Sequence, residues 1–152
     1  MTARVFGLGH PDRGDDAVGL LVADDVRRRA PLGVEVRRLE GSPLELLTSW
    51  DDADDVIVVD AVRAPTAPGL VRRFDVLAGQ LPVMGSTGGT HDASLIDAIE
   101  LARALGRLPA GLVVYGVYGA SFGVGDAMTP AVRDAAQALG ERIAGEVVPR
   151  RG

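Results

Sequence analysis

The sequence predicts an α/β fold, an open sheet with helices on both faces, from three observations. Short apolar runs alternate with stretches of helical periodicity along the whole chain. The run Val56-Ile57-Val58-Val59 is continuously apolar, the pattern of a central parallel strand buried on both faces. The 20 Gly and 9 Pro residues exceed the usual combined share of about 12%, yet they lie scattered between the runs, as punctuation rather than as a linker. With 152 residues, 47% of them hydrophobic, and no internal repeat, residues 1–152 are expected to form a single domain with one substantial core.

Residues 5–8 form the first strand, which ends in the turn Gly7-Leu8-Gly9-His10-Pro11. A helical stretch follows from Asp15-Asp16 to about Arg29, with Val18, Leu21, Val22 and Val26 on one face. Its last turn carries Arg27, Arg28 and Arg29, read as a solvated helix end. Residues 34–39 suggest a second strand. A short helix spans 42–50, with Ser42 as N-cap and Pro43 at the first helical position. Residues 56–59 are the third strand, ending in Asp60. Residues 70–76 form a fourth, and the pair Arg72-Arg73 marks it as an edge. A Gly-rich loop over 85–91 leads to a helix from Asp92 to about Leu105. Residues 112–118 are another buried strand, and Thr129-Pro130 opens a last helix to about Val147.

Composition removes several kinds of chemistry. The absence of Cys excludes disulfides, thiolate metal sites, iron–sulfur clusters and a Cys nucleophile. All 16 basic residues are Arg, which removes a P-loop lysine and Schiff-base catalysis. A formal charge of −5 opposes nucleic-acid binding, which needs a basic field. No apolar stretch approaches the roughly 20 residues of a membrane helix, and the start lacks a signal-peptide core, so the expected address is the cytoplasm.

Several motifs fail on inspection. Gly7-Leu8-Gly9 opens like a dinucleotide fingerprint, but Asp12 stands where the third Gly belongs, and Asp15 and Asp16 would repel a pyrophosphate. Gly119-Ala120-Ser121-Phe122-Gly123 fits the nucleophile-elbow pattern, but no helix follows directly and no His follows Ser121. A phosphate-receiver domain would carry a Lys after its last strand. A phosphatase Asp-x-Asp is broken by Val62, and there is no H-E-x-x-H.

What remains is positional. Asp15 and Asp16 follow the first strand, Asp60 ends the third, and His91 precedes a helix. In an open α/β sheet these points can share one edge, where ligands bind at the reversal of strand order. If the sheet runs 2-1-3, Asp16 and Asp60 face each other with His91 close by. Two carboxylates and an imidazole suit a divalent ion such as Ni²⁺ or Zn²⁺ and leave positions open for substrate or water. The same residues also have structural readings: a helix cap for Asp15 or Asp16, a strand-end turn for Asp60, a carbonyl partner for His91.

Taken together, the motifs resemble those of the hydrogenase maturation endopeptidases. Gly7-Leu8-Gly9-His10 with Asp15-Asp16-Ala17-Val18-Gly19 is similar to the family's opening G-x-G-N-x(4)-D-[DE]-x-x-G. Val58-Val59-Asp60-Ala61-Val62 with Pro68-Gly69 resembles its second motif, and Thr90-His91-Asp92 its third. Val114-Tyr115-Gly116-Val117 and Met128-Thr129-Pro130 resemble its last strand and helix start. The resemblance implies a three-layer α/β/α sandwich with a twisted, mostly parallel five-stranded sheet. It implies a hydrolase that cleaves the C-terminal extension from a [NiFe]-hydrogenase large-subunit precursor after nickel insertion. The family's metal-contacting positions fall on Asp16, Asp60 and His91, the implied catalytic and metal residues, with nickel supplied by the precursor. A non-catalytic module that checks a partner's metal, or a protease of another protein, are the alternatives.

Two departures stand out. His10 replaces the usual Asn; it is read as an added ligand, as a proton carrier, or as filling the turn, and the turn is favoured because Pro11 fixes the backbone beside it and small polar residues are usual there. Asp16 is the shorter of the two acids found at its position. Residues 85–90 and 118–125 flank the expected site, and their glycines are read as letting them move to meet a substrate.

Overall fold

The computed structural model describes residues 2–64, 66–80 and 94–147. Its five strands are β1 (Ala3–Leu8), β2 (Val34–Leu39), β3 (Asp55–Arg63), β4 (Val71–Asp75) and β5 (Gly111–Gly119). The helices are α1 (Val18–Arg29), α2 (Leu46–Ser49), α3 (Leu95–Ala104) and α4 (Pro130–Glu146). One sheet runs in the order β2-β1-β3-β5-β4. Every pairing is parallel except that of the edge strand β4, which runs antiparallel to β5. The strand order reverses between β1 and β3, as the expected 2-1-3 arrangement requires.

The three layers follow from the period of two along each strand. Phe6, Val56, Val58, Leu112 and Val114 point to one face and pack with Leu46, Trp50, Leu95, Ile99 and Ala102 beneath α2 and α3. Val5, Ile57, Val59, Tyr115 and Val117 point to the other and pack with Val18, Val22, Val26, Val132, Leu139 and Ile143 of α1 and α4. The central strands are apolar at consecutive positions because both faces are covered. Each fully buried aliphatic side chain contributes roughly 1.5–3 kcal/mol.

The helix signals hold with small shifts. Ser42 caps its helix by accepting from Leu44 N, and Pro43 occupies the first position of a 3₁₀ turn that runs into α2. The helix expected from Asp92 instead begins at Leu95. Ser94 and Asp97 form a capping box there, and that reciprocal pair sets the start more firmly than an acidic residue alone. The Arg cluster ends α1, where cations complement the helix dipole, and Arg28 and Arg29 also hold the buried Asp25 at 2.6 and 3.0 Å.

Two glycines decide how α1 meets the sheet. A Cβ on Gly19 would stand 2.2 Å from the Leu8 carbonyl oxygen and 2.5 Å from that of Val59. A Cβ on Gly7 would stand 2.0 Å from the Gly19 carbonyl oxygen. The first turn of α1 therefore lies directly on the ends of β1 and β3, which brings residues 14–17 to the crevice between those strands. Among the described residues no helix is long and apolar enough to cross a membrane.

Candidate functional site

The segment between β1 and α1 is wound by consecutive turns. Arg13 N donates to the His10 carbonyl and Asp16 N to the Arg13 carbonyl, so residues 10 and 16 come side by side. Gly14–Ala17 then forms a 3₁₀ turn leading into α1. Gly9 lets the chain pass close: a Cβ there would meet the Asp16 carbonyl oxygen at 2.0 Å.

The two adjacent acids have opposite fates. Asp15 is fully buried. Its Oδ2 accepts from Ala120 N at 2.8 Å, Ser121 N at 3.0 Å and Thr129 Oγ1 at 2.7 Å, and its Oδ1 accepts from Thr129 N at 2.7 Å. Burial alone would push its carboxyl up; the hydrogen bonds, led by Thr129, outweigh that and hold it below the usual value. Asp15 thus pins the segment between β5 and α4. Asp126 Oδ2 completes the tie, accepting from Ser121 Oγ and Gly123 N at 2.8 Å each. The 118–125 segment, read from its glycines as movable, is laced to residues 12–15 and 126 instead. Gly119 is needed because a Cβ would meet that of Asp15 at 2.6 Å. The Ser121 hydroxyl is bonded within this turn, which fits the rejection of a nucleophile elbow.

Asp16 stays half-buried at the crevice. Asp60, expected to end its strand, lies within β3 instead, because pairing with β5 continues through the buried Ala61 and Val62 to Arg63. Asp60 pairs in register with Gly116 of β5, which has no side chain. Its Oδ1 accepts from Ala61 N at 2.8 Å. Burial, and after it the charge of Asp16, push the Asp60 carboxyl up to about 8. Two acids in one desolvated crevice repel each other, and a divalent cation is the partner that such a donor set suits. The expected third member, His91, lies outside the described residues, as does the 85–90 loop. Among the described residues no group of three His, Asp or Glu side chains is placed to hold a metal.

His10 does more than the turn reading favoured from the sequence. Its Nδ1 lies 2.5 Å from Asp16 Oδ2, so its side chain engages the crevice acid rather than merely filling the turn. A spacing of six across a Pro-containing turn has no periodic signature, so nothing in the pattern pointed to the contact. A cleft of about 380 Å³ adjoins the two turns, lined by their neighbours Pro11 and Ala17 and by Leu21, Arg38, Met128 and Arg133.

An open α/β sheet with an acidic pair at its switch point is the plan of an α/β enzyme that works on a ligand at the carboxyl edge of its strands. Residues 39–146 match the family model of the hydrogenase maturation proteases, and the chain belongs to that family. This makes it a protease, a hydrolase of peptide bonds. The matched segment contains Asp60; the turn that carries Asp16 lies before it. The solved structure of the hydrogenase maturating endopeptidase HybD from E. coli is 24% identical, covering 97% of this chain and 92% of that one with a TM-score of 0.73. A solution structure of an endopeptidase from Escherichia coli is 24% identical, covering 94% and 90% with a TM-score of 0.76. The [NiFe] hydrogenase maturation protease HycI from Thermococcus kodakarensis KOD1 is 24% identical, covering 96% and 92% with a TM-score of 0.67. At this identity the solved structures establish the shared three-layer fold. No curated protein matches the sequence.

Proposed function

We propose that this protease removes the C-terminal extension of a [NiFe]-hydrogenase large-subunit precursor after nickel has been inserted into it. The observation that carries the reading is the placement of Asp16 and Asp60 together at the switch-point crevice, in a chain of this family. Asp16, Asp60 and His91 contact the precursor's nickel, which arrives with the substrate. Two oxygen donors and one imidazole, without a thiolate, hold nickel only modestly on their own. That weakness suits a site that inspects a metal and then releases it. In the cut, the oxygen of a water joins the scissile carbonyl carbon and the C–N bond breaks. The proton lost by the water ends on the released amine.

The test is a mass assay with the purified chain and a large-subunit precursor from the same organism, with and without nickel. Loss of one C-terminal peptide, confined to the nickel-loaded sample, is the expected result. Stable binding with no change in mass would make the protein a metal-checking module instead. Absence of both would overturn the choice of partner.

A further inference from the structure

The turn after β1 does more than carry Asp16: it also places His10 against it. The imidazole is half-exposed, with Nδ1 2.5 Å from Asp16 Oδ2, while Asp16 Oδ1 accepts no hydrogen bond among the described residues. An ionised carboxylate only accepts, so with Asp16 ionised this bond calls for the tautomer that carries its proton on Nδ1. The His10–Arg13 and Arg13–Asp16 backbone bonds wind the chain back on itself and bring the two side chains together. We propose that His10 is a positioning residue for Asp16. Its Nδ1–H engages Oδ2, holds the carboxylate in one rotamer, and leaves Oδ1 as the oxygen offered to a divalent metal. This is the arrangement by which an outer hydrogen bond orients a ligating carboxylate. It rests on the reading of Asp16 as a nickel contact, but its first readout does not.

The hydrogen bond predicts a specific pattern of rescue. The Nδ2 of an Asn is two bonds from Cβ, as is Nδ1 of His, so His10→Asn keeps a donor at the same place. His10→Gln moves the donor one carbon outward, and His10→Ala removes it. The first measurement is the imidazole ¹H–¹⁵N spectrum of the intact chain above neutral pH. A ring protonated on Nδ1, whose signal shifts in Asp16→Asn, is expected. A ring protonated on Nε2 overturns the proposal whether or not the chain processes any precursor. The second is calorimetric titration with Ni²⁺ alone, alongside kcat and KM for processing. His10→Ala and His10→Gln should weaken Ni²⁺ binding about 10- to 100-fold, as loss of an orienting partner does, with unchanged thermal stability. His10→Asn should recover to within about threefold of the parent. If His10→Ala binds Ni²⁺ as the parent does, the positioning role is wrong. If His10→Asn is as weak as His10→Ala, the imidazole is itself a ligand and the proposal also falls.

Discussion

Asp16 and Asp60 meet at the crevice between β1 and β3, and after burial it is the charge of Asp16 that does most to hold the Asp60 carboxyl at about 8. The ordinary value, which the unfolded chain keeps, is 3.8. The folded state therefore holds this proton more tightly than the unfolded one. That contribution is fully present below pH 4 and is lost as pH rises towards 8. In metal-free buffer Asp60→Asn should flatten this decline and be more stable than the parent at pH 8 by about 1–2 kcal/mol. Thermal melts of both proteins at pH 5 and pH 8 check this; parallel behaviour at both values would contradict the burial and repulsion described.

Asp15 should behave in the opposite sense. Its folded carboxyl lies below the ordinary value, so its stabilisation is present above about pH 4 and disappears as pH falls through the folded value. Asp15→Ala leaves three backbone N–H groups and the Thr129 hydroxyl without their acceptor. A loss of about 2–4 kcal/mol is expected in urea unfolding at pH 7. An unchanged midpoint would mean that the 118–129 segment does not depend on Asp15.

Its neighbour separates stability from activity. At pH 5, where Asp60 is protonated in both proteins, Asp16→Asn should change stability by no more than about 0.5 kcal/mol, because a crevice position contributes little packing; at pH 8 it should relieve part of the repulsion on Asp60. His91→Ala is the companion variant. Each should abolish processing of the nickel-loaded precursor, and near-parental processing by either would remove that residue from the metal contacts.

Gly19 tests how the site is positioned. A Cβ there meets the backbone oxygens of Leu8 and Val59, which cannot turn aside as side chains can. Gly19→Ala should cost about 3 kcal/mol or more and lift the first turn of α1 from the sheet. The accompanying loss of Asp16–Asp60 coupling can be read by titrating Asp60 by NMR. Gly145, whose Cβ would meet nothing, is the control, and Gly145→Ala should be neutral or slightly stabilising.

The elements were largely legible in the sequence because their causes are local. A continuous apolar run needs two covered faces, and Ser42-Pro43 is a helix start in its own right. The same logic put Asp16 at a helix start, but it ended the third strand at Asp60, whereas pairing with β5 carries β3 on to Arg63. Where the cause was a partner far along the chain, the sequence was silent. Asp15 and Asp16 are indistinguishable as neighbours. Asp15 is buried because Thr129, 114 residues later, offers it two donors. His10 looked like a turn residue because its bond to Asp16 depends on how two successive turns stack. The antiparallel course of β4 depends on its pairing with β5, not on its own side chains. Periodicity and capping are properties of a segment, so sequence alone determined that helices cover both faces of the sheet and that Asp16 and Asp60 share one end of it. Hydrogen bonding across the fold is a property of two segments brought together, so only the tertiary structure decided which acid holds the fold and which is left at the crevice.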